Sequence, residues 1–351
     1  MRREFGMFVA LVAMCTALYF CSHNHAFGGQ SNIVNNIREV SKLAILAIGS
    51  SFVIISGGID LSVGSMVGLV GVLIAYFCVP VEDGGHNWNI YAGIGMAMLI
   101  AMLIGLVQGL LITRLQLQPF IVTLGTMLAL RGVSQTIVNG GDIDLAGIPF
   151  SKLADSGIWE HHGAALIQYP TMIFIAVALV SAYLLHFTVF GRYLYAIGGN
   201  RDAAAYSGIR VKRVETATYV ISAGLAGVAA ICYAPYIGQM SQSVGVSYEL
   251  YAITAAVLGG CSLRGGQGTI IGIIIGTCVM MVIENGIQIF RIHNWKPSDN
   301  WTNTILGGTI LIAVIVDQVV HILQDRRRTR RAAQTIAAKA QGIYTITPPT
   351  P

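Results

Sequence analysis

Charged residues are scarce in this chain. Of its 351 residues, 11% are Asp, Glu, Lys or Arg and 54% are hydrophobic, whereas soluble domains carry roughly a quarter charged residues. One soluble core of this size could not hide so much apolar surface, so lipid must solvate part of it. A mean hydropathy of +0.68 agrees. Catalytic patterns are missing as well. There is no GxxxxGK[ST] to cradle ATP phosphates, no GxSxG, no HExxH, and no carboxylate pair suited to a soluble active site. The six cysteines, Cys15, Cys21, Cys78, Cys232, Cys261 and Cys278, are scattered mostly through apolar runs without CxxC or Cys/His ligand spacing. They read as small apolar fillers, and no metal or cofactor is expected of this chain. His161 and His162 are adjacent and so point different ways, which suits a solvated pair better than a metal site. An intramembrane enzyme would need a nucleophile–base pair or metal ligands at depth, and the sequence offers neither.

What is present is a series of long apolar runs. A helical span needs about 20 apolar residues. Candidates are 5–22, 40–57, 61–79, 90–113, 119–138, 169–188, 214–236, a short one at 249–262, 268–290 and 302–322. The runs are continuous rather than alternating, which excludes a β-barrel. The first resembles a signal peptide, but no small-x-small cleavage site follows it, so an uncleaved helix is the reading. The expected fold is an all-α polytopic bundle: one domain over 1–323, then a basic, flexible tail over 324–351.

Lys and Arg set the orientation. Arg2 and Arg3, the loop with Arg192, Arg201, Arg210, Lys212 and Arg213, and the tail with Arg326, Arg327, Arg328, Arg330 and Arg331 are expected to be cytoplasmic. "VPVEDGGHNWN" (79–89) and the acidic stretch 139–168 are expected outside. An even number of spans with both termini inside satisfies every assignment, which is the reason for keeping the short eighth span. The net charge of +5 is then a topology signal. "DRRRTRR" follows directly on a span and suits anionic lipid headgroups rather than nucleic acid.

Polar residues interrupt the apolar runs at a few places. In "ISGGIDLSVGSM" (55–66), Gly57 and Gly58 end one helix and Asp60 is expected to cap the next. A carboxylate beside broken helix also suits a cavity or gate, because lipid cannot solvate it. The cap alone, or the cap together with solute contact, both remain open. "GGIDLSVGS" (57–65) echoes "GGCSLRGGQ" (259–267), from an internal repeat or from shared turn chemistry. Arg131 with Gln135, and Glu284 with Gln288, each share one helix face at i,i+4 spacing. Such groups point into a bundle and find partners; Arg131 and Glu284, at similar expected depth, are expected to approach each other. In "GRYLYAIGGNRDAAAYSGIRVKRV" (191–214), Asn200 is a good N-cap, Asp202 lies in the first turn and Gly208 can end a helix, which predicts a short helix at 201–207. Ala203, Ala204 and Ala205 keep it slim enough for a partner surface to approach. An ordinary connector would have the same features. Gly265, Gly266, Gly268, Gly272 and Gly276 offer a smooth surface on which helices can slide.

"GGIDLSVGSMVGL", "LQPFIVTLGTMLALRGV", "GRYLYAIGGNRDAAAYSGI" and "VLGGCSLRGGQGTIIGIIIGT", in this order across about 40–320, resemble the permease subunits of bacterial ABC importers for monosaccharides, the ribose, xylose, arabinose and galactose class. The resemblance implies about ten spans in the vitamin-importer-like (type II) architecture, placed in the bacterial inner membrane. It implies a second permease copy, identical or a sister chain, a cytoplasmic ABC ATPase that uses the ATP, and a periplasmic sugar-binding protein. Helix 201–207 would be the coupling helix, with Asn200, Asp202, Ala203, Ala204 and Gly208 shaping it. Asp60 and Ser62 fall on the family's Gly-Asp-Leu-Ser motif and, with Thr123 and Gln135, are the expected path or gate residues. Gln108 departs from the family, which often has Asn there. Other small polar cargoes, such as an autoinducer-type furanone, a cyclitol or a branched-chain amino acid, fit the same architecture. A stand-alone channel or secondary transporter would not need the capped inner helix.

Overall fold

A computed structural model describes residues 2–145, 148–153, 156–161, 164–289 and scattered positions between 301 and 318. The tail 324–351 and His162 lie outside the described residues, as does most of the candidate span 302–322. The chain divides into two units, Met1–Asn303 and Thr304–Pro351. In the second, the described positions are helical. Everything below concerns the first.

Among the described residues the helices are α1 (Arg2–Cys21), α2 (Gln30–Ile55), α3 (Val63–Cys78), α4 (Ile90–Arg114), α5 (Pro119–Ile137), α6 (Tyr169–Phe187), α7 (Val189–Gly199), α8 (Arg201–Tyr206), α9 (Val211–Ile237), α10 (Tyr248–Leu258) and α11 (Ile270–Ile289). Within α1, α4, α5, α6, α9 and α11 lie six segments long and apolar enough to cross a membrane. Each candidate span before residue 290 corresponds to a helix.

The core forms around α2, which is buried without a break from Ser41 to Ile55. A helix apolar on every side must lie inside a bundle, and α9, α10, α11 and α6 all pack on this one. α9 in turn lies along α4. The buried face of α4 carries Gly93, Ala97, Ala101, Gly105 and Gly109, a small residue at every fourth position. Such a stripe lets backbones approach closely. A Cβ on Gly105 would stand 2.6 Å from the Ala223 Cβ, and one on Gly109 3.0 Å from Thr216.

Two expectations need correction. The chain is mostly rather than wholly helical. β2 (Gly157–His161) pairs antiparallel with β3 (Ala164–Gln168) in the stretch expected outside, and β1 (Ile143–Asp144) pairs with β4 (Gln239–Met240). Polar loops at a helix end are free to pair in this way, and apolar runs do not report on them. The short eighth span is also composite. α10 has 11 residues, about 16 Å of helix, too short to cross alone. The non-helical stretch before it lies along α3, with Met240 against Gly71, Val244 against Gly68 and Gly245 against Gly64. Irregular backbone at this depth is tolerated only where protein buries it, and the glycine edge of α3 provides that cover.

Candidate functional site

The α2–α3 break is built by local rules. α2 ends at Ser56, and Gly57 takes φ +86°, a left-handed value that glycine adopts freely. The Gly57 amide donates to the Ile54 carbonyl at 2.9 Å and the Gly58 amide to Val53 at 2.9 Å, the Schellman pattern for closing a helix. The chain then runs without regular secondary structure to Ser62, which holds the N-cap position of α3 and makes no side-chain cap. Asp60 is therefore not the cap itself. It sits before the cap, where its carboxylate still feels the positive end of α3.

Asp60 is 3% exposed. Its Oδ1 accepts from the Ser62 amide (2.9 Å), the Ser62 hydroxyl (2.6 Å) and Gln108 Nε2 (3.1 Å), and its Oδ2 accepts from the Ser222 hydroxyl (2.8 Å). Among the described residues no Lys or Arg is paired with it. A buried carboxylate without a counter-ion needs this many donors. The result is a knot that ties the break to α4 and α9. Of the expected path residues, Asp60 and Ser62 are in contact. Sequence reasoning noted Gln108 only as a departure from pattern, and it missed Ser222. A detectable signal was there: Glu215, Tyr219 and Ser222 recur at i, i+4 and i+7 along apolar α9.

The other expected path residues do not join the knot. Thr123 is buried, and its hydroxyl donates to the Pro119 carbonyl of its own helix at 2.9 Å. Gln135 lies on the exposed face of α5.

Arg131 and Glu284 do not pair. Arg131 Nη1 donates to the carbonyls of Gln242 and Val244, pinning the non-helical stretch before α10, and Glu249 is the carboxylate within its electrostatic reach. Glu284 and Gln288 line a separate cavity with Glu39 and Tyr251. Depth estimated from span length could not anticipate this, because the stretch 238–247 enters the bundle and offers its carbonyls to the guanidinium first.

The predicted short helix is α8. The Asn200 side chain caps it, accepting from the Ala203 amide at 2.9 Å, and Gly208 follows with φ +83°. Arg201 forks onto Glu215 of α9, Nε to Oε1 at 2.7 Å and Nη2 to Oε2 at 3.1 Å. That hydrogen-bonded carboxylate holds the guanidinium above its ordinary pKa. Ala203, Ala205 and Asp202 face outward and Tyr206 is 92% exposed, but Ala204 is 4% exposed and packs into the body. The slim outer surface is thus made by Ala203 and Ala205, while Ala204 seats the helix.

Just before α8, Gly198 meets the α2–α3 break and a second break, the non-helical connection between α10 and α11. The Gly266 amide donates to the Ile55 carbonyl at 2.9 Å. A Cβ on Gly265 would stand 3.0 Å from both Gly57 and Gly198, and one on Gly198 would overlap the Ile55 carbonyl and Gly266. The echoing segments 57–65 and 259–267 therefore touch, with the root of α8 between them. Gly272 and Gly276 face Gly259 at the end of α10, whereas Gly268 precedes α11 and packs on Cys261 and Ile55.

Residues 32–315 match the family model described as "Branched-chain amino acid transport system / permease component". The chain belongs to this permease family. It is a multi-pass membrane protein with a transport role and not an enzyme. The permease is 34% identical over 310 residues to the ribose import permease protein RbsC of Escherichia coli (strain K12), covering 88% of this chain and 92% of that one. It is 34% identical to the RbsC of Bacillus subtilis (strain 168), covering 84% and 87%. It is 29% identical to the D-allose transport system permease protein AlsC of Escherichia coli (strain K12), covering 90% and 92%. No solved structure matches the permease.

Proposed function

We propose that this permease is the membrane-spanning subunit of an ABC uptake system that carries a monosaccharide of the ribose, xylose or allose kind, driven by a separate cytoplasmic ATPase. The observation that carries the reading is α8: a capped helix with a small-residue outer surface, rooted on the glycine junction that joins both breaks. The ATPase grips α8, and its ATP-driven closure moves Gly198 against Gly57 and Gly265. The Asp60 knot is the latch of this gate. It holds the break closed from within rather than touching cargo. The permease binds no cofactor of its own in this reading.

Relatives named for ribose and D-allose support the sugar class, as does a xylose transport system permease protein of Haemophilus influenzae at 28% identity. A 31% identical relative named an inner membrane ABC transporter permease supports a bacterial inner membrane location. The Lys and Arg bias of the loops is the reason for placing both termini in the cytoplasm, in a bundle of about ten spans of the type II kind. A second permease copy packs on α5, where Gly125, Ala129, Gly132 and Gln135 are exposed and neither glycine has a neighbour within 4 Å of an added Cβ. The path runs past that face, which gives Gln135 its role; Thr123 supports α5 from behind. A periplasmic binding protein delivers the sugar.

A second reading, a branched-chain amino acid as cargo, takes its support from the wording of the family description. Uptake by proteoliposomes holding the permease, its ATPase and its binding protein decides between them. ATP-dependent entry of labelled D-ribose, D-xylose or D-allose supports the sugar. Entry of leucine alone supports the second reading.

A further inference from the structure

α2, α9, α10 and α11 line a half-open cavity of about 970 Å³, within the roughly 300–1,000 Å³ typical of small-molecule sites. The run of α9 from Glu215 to Tyr233 covers about 27 Å at 1.5 Å per residue, so this cavity lies at the opposite end of the bundle from α8. Its walls combine two carboxylates, Glu39 and Glu284, with side-chain amides and the rings of Tyr233, Tyr236, Tyr248 and Tyr251.

Glu39 accepts from Lys42 Nζ at 2.8 Å. The Lys42 side chain is fully buried, 3.7 Å from the centre of the Tyr236 ring, and the Arg38 guanidinium lies 4.0 Å from the same ring. Among the described residues, two cations stand behind the tyrosine wall and two carboxylates stand in it, so these four charges offset one another. Asn32 and Asn285 exchange amide hydrogen bonds at 2.8 and 3.2 Å, which fixes α2 against α11. Asn35 is held on Arg38 at 2.9 Å. Among the described residues, Glu284, Gln288 and Asn36 line the cavity with no hydrogen-bond partner from the chain.

These groups match a hydroxylated ring. Each hydroxyl donates one hydrogen bond and accepts others; Glu284 can accept, and Asn36 and Gln288 can do both. Tyrosine rings offer flat apolar faces to the C–H side of such a molecule. An apolar ligand would strip water from Glu284 and give nothing back.

We propose that this cavity is a binding site for a neutral polyhydroxylated ring of monosaccharide size, held inside one permease chain and away from the Asp60 latch. It rests on the importer reading for its place in transport, as a station for sugar at the face opposite the ATPase. The test uses the full chain in lipid nanodiscs, with D-ribose, D-xylose and D-allose as probes and saturation-transfer NMR as the readout, in wild type, Glu284→Gln and Tyr251→Leu. The expected result is saturable binding of at least one sugar, weakened about tenfold or more by Glu284→Gln and also weakened by Tyr251→Leu, with no competition from sodium or potassium chloride. Three results overturn the site: no saturable binding to wild type, binding that neither variant alters, or displacement by either cation. Parallel uptake assays keep the two ideas apart. ATP-driven uptake without cavity binding overturns the site alone. Cavity binding without ATP-driven uptake supports the site and overturns the importer reading.

Discussion

Ser222 donates to Asp60 Oδ2 at 2.8 Å across 162 positions of chain. The bond fastens the α2–α3 break to α9, the same helix whose first turns hold Glu215, the partner of Arg201 on α8. One helix thus contacts both α8 and the Asp60 knot.

Removing the Ser222 hydroxyl leaves a buried carboxylate one donor short. Ser222→Ala should destabilise the permease by about 1.5–3 kcal/mol, the range for a hydrogen bond to a charged group. Thermal unfolding in detergent measures it. Asp60→Asn removes the charge that needs the donor, so the double variant should lose less than the two single losses added together. Strict additivity would show that the two groups are energetically independent.

Gly198 has no room for a side chain, since a Cβ would overlap the Ile55 carbonyl and Gly266. Gly198→Ala should move the root of α8 and uncouple it. The ATPase should still co-purify, because Ala203, Ala205 and Tyr206 remain on the outer face, while ATP-driven uptake should fall at least tenfold. Unchanged uptake would separate the glycine junction from coupling.

Ala204 and Tyr206 respond differently to change. Tyr206→Ala should leave stability unchanged, because the ring is 92% exposed, and should weaken ATPase co-purification. Ala204→Trp forces a large ring into a packed position and should unseat α8, costing about 1–3 kcal/mol through overpacking. Asn200→Ala removes the cap and should cost about 1 kcal/mol. Limited proteolysis around residue 205 reports both losses.

Much of this was legible before the coordinates. The Gly-Gly of 57–58, the cap at Asn200 and the stop at Gly208 are local signals, and local signals survive into the fold. Each long apolar run before residue 290 became a helix for the same reason. What the chain concealed was tertiary. Ser222 is one serine among many until α9 lies along α4. The stripe of small residues on α4 was readable at spacing four, yet only its packing against α9 gives it meaning. The pairing of Arg131 with Glu284 failed because backbone carbonyls of an irregular stretch competed for the guanidinium, and apolar periodicity does not report such a stretch.

Arg131 therefore provides its own test. Arg131→Gln removes the charged donor that pins the Gln242 and Val244 carbonyls. It should destabilise by about 1.5–3 kcal/mol, the range for hydrogen bonds to a charged group. The charge-swapped double variant, Arg131→Glu with Glu284→Arg, should not recover what Arg131→Glu alone loses. Recovery of assembly by that double variant, measured by size-exclusion chromatography, would restore the pairing the structure rejects.

The most direct measurement of the central idea, a passive gated path worked by a separate motor through α8, is sugar uptake by proteoliposomes containing the permease with its ATPase and binding protein. Uptake should require ATP and the ATPase together and should be lost when Tyr206→Ala weakens attachment. Sugar accumulation by the permease alone, without ATP, would contradict it.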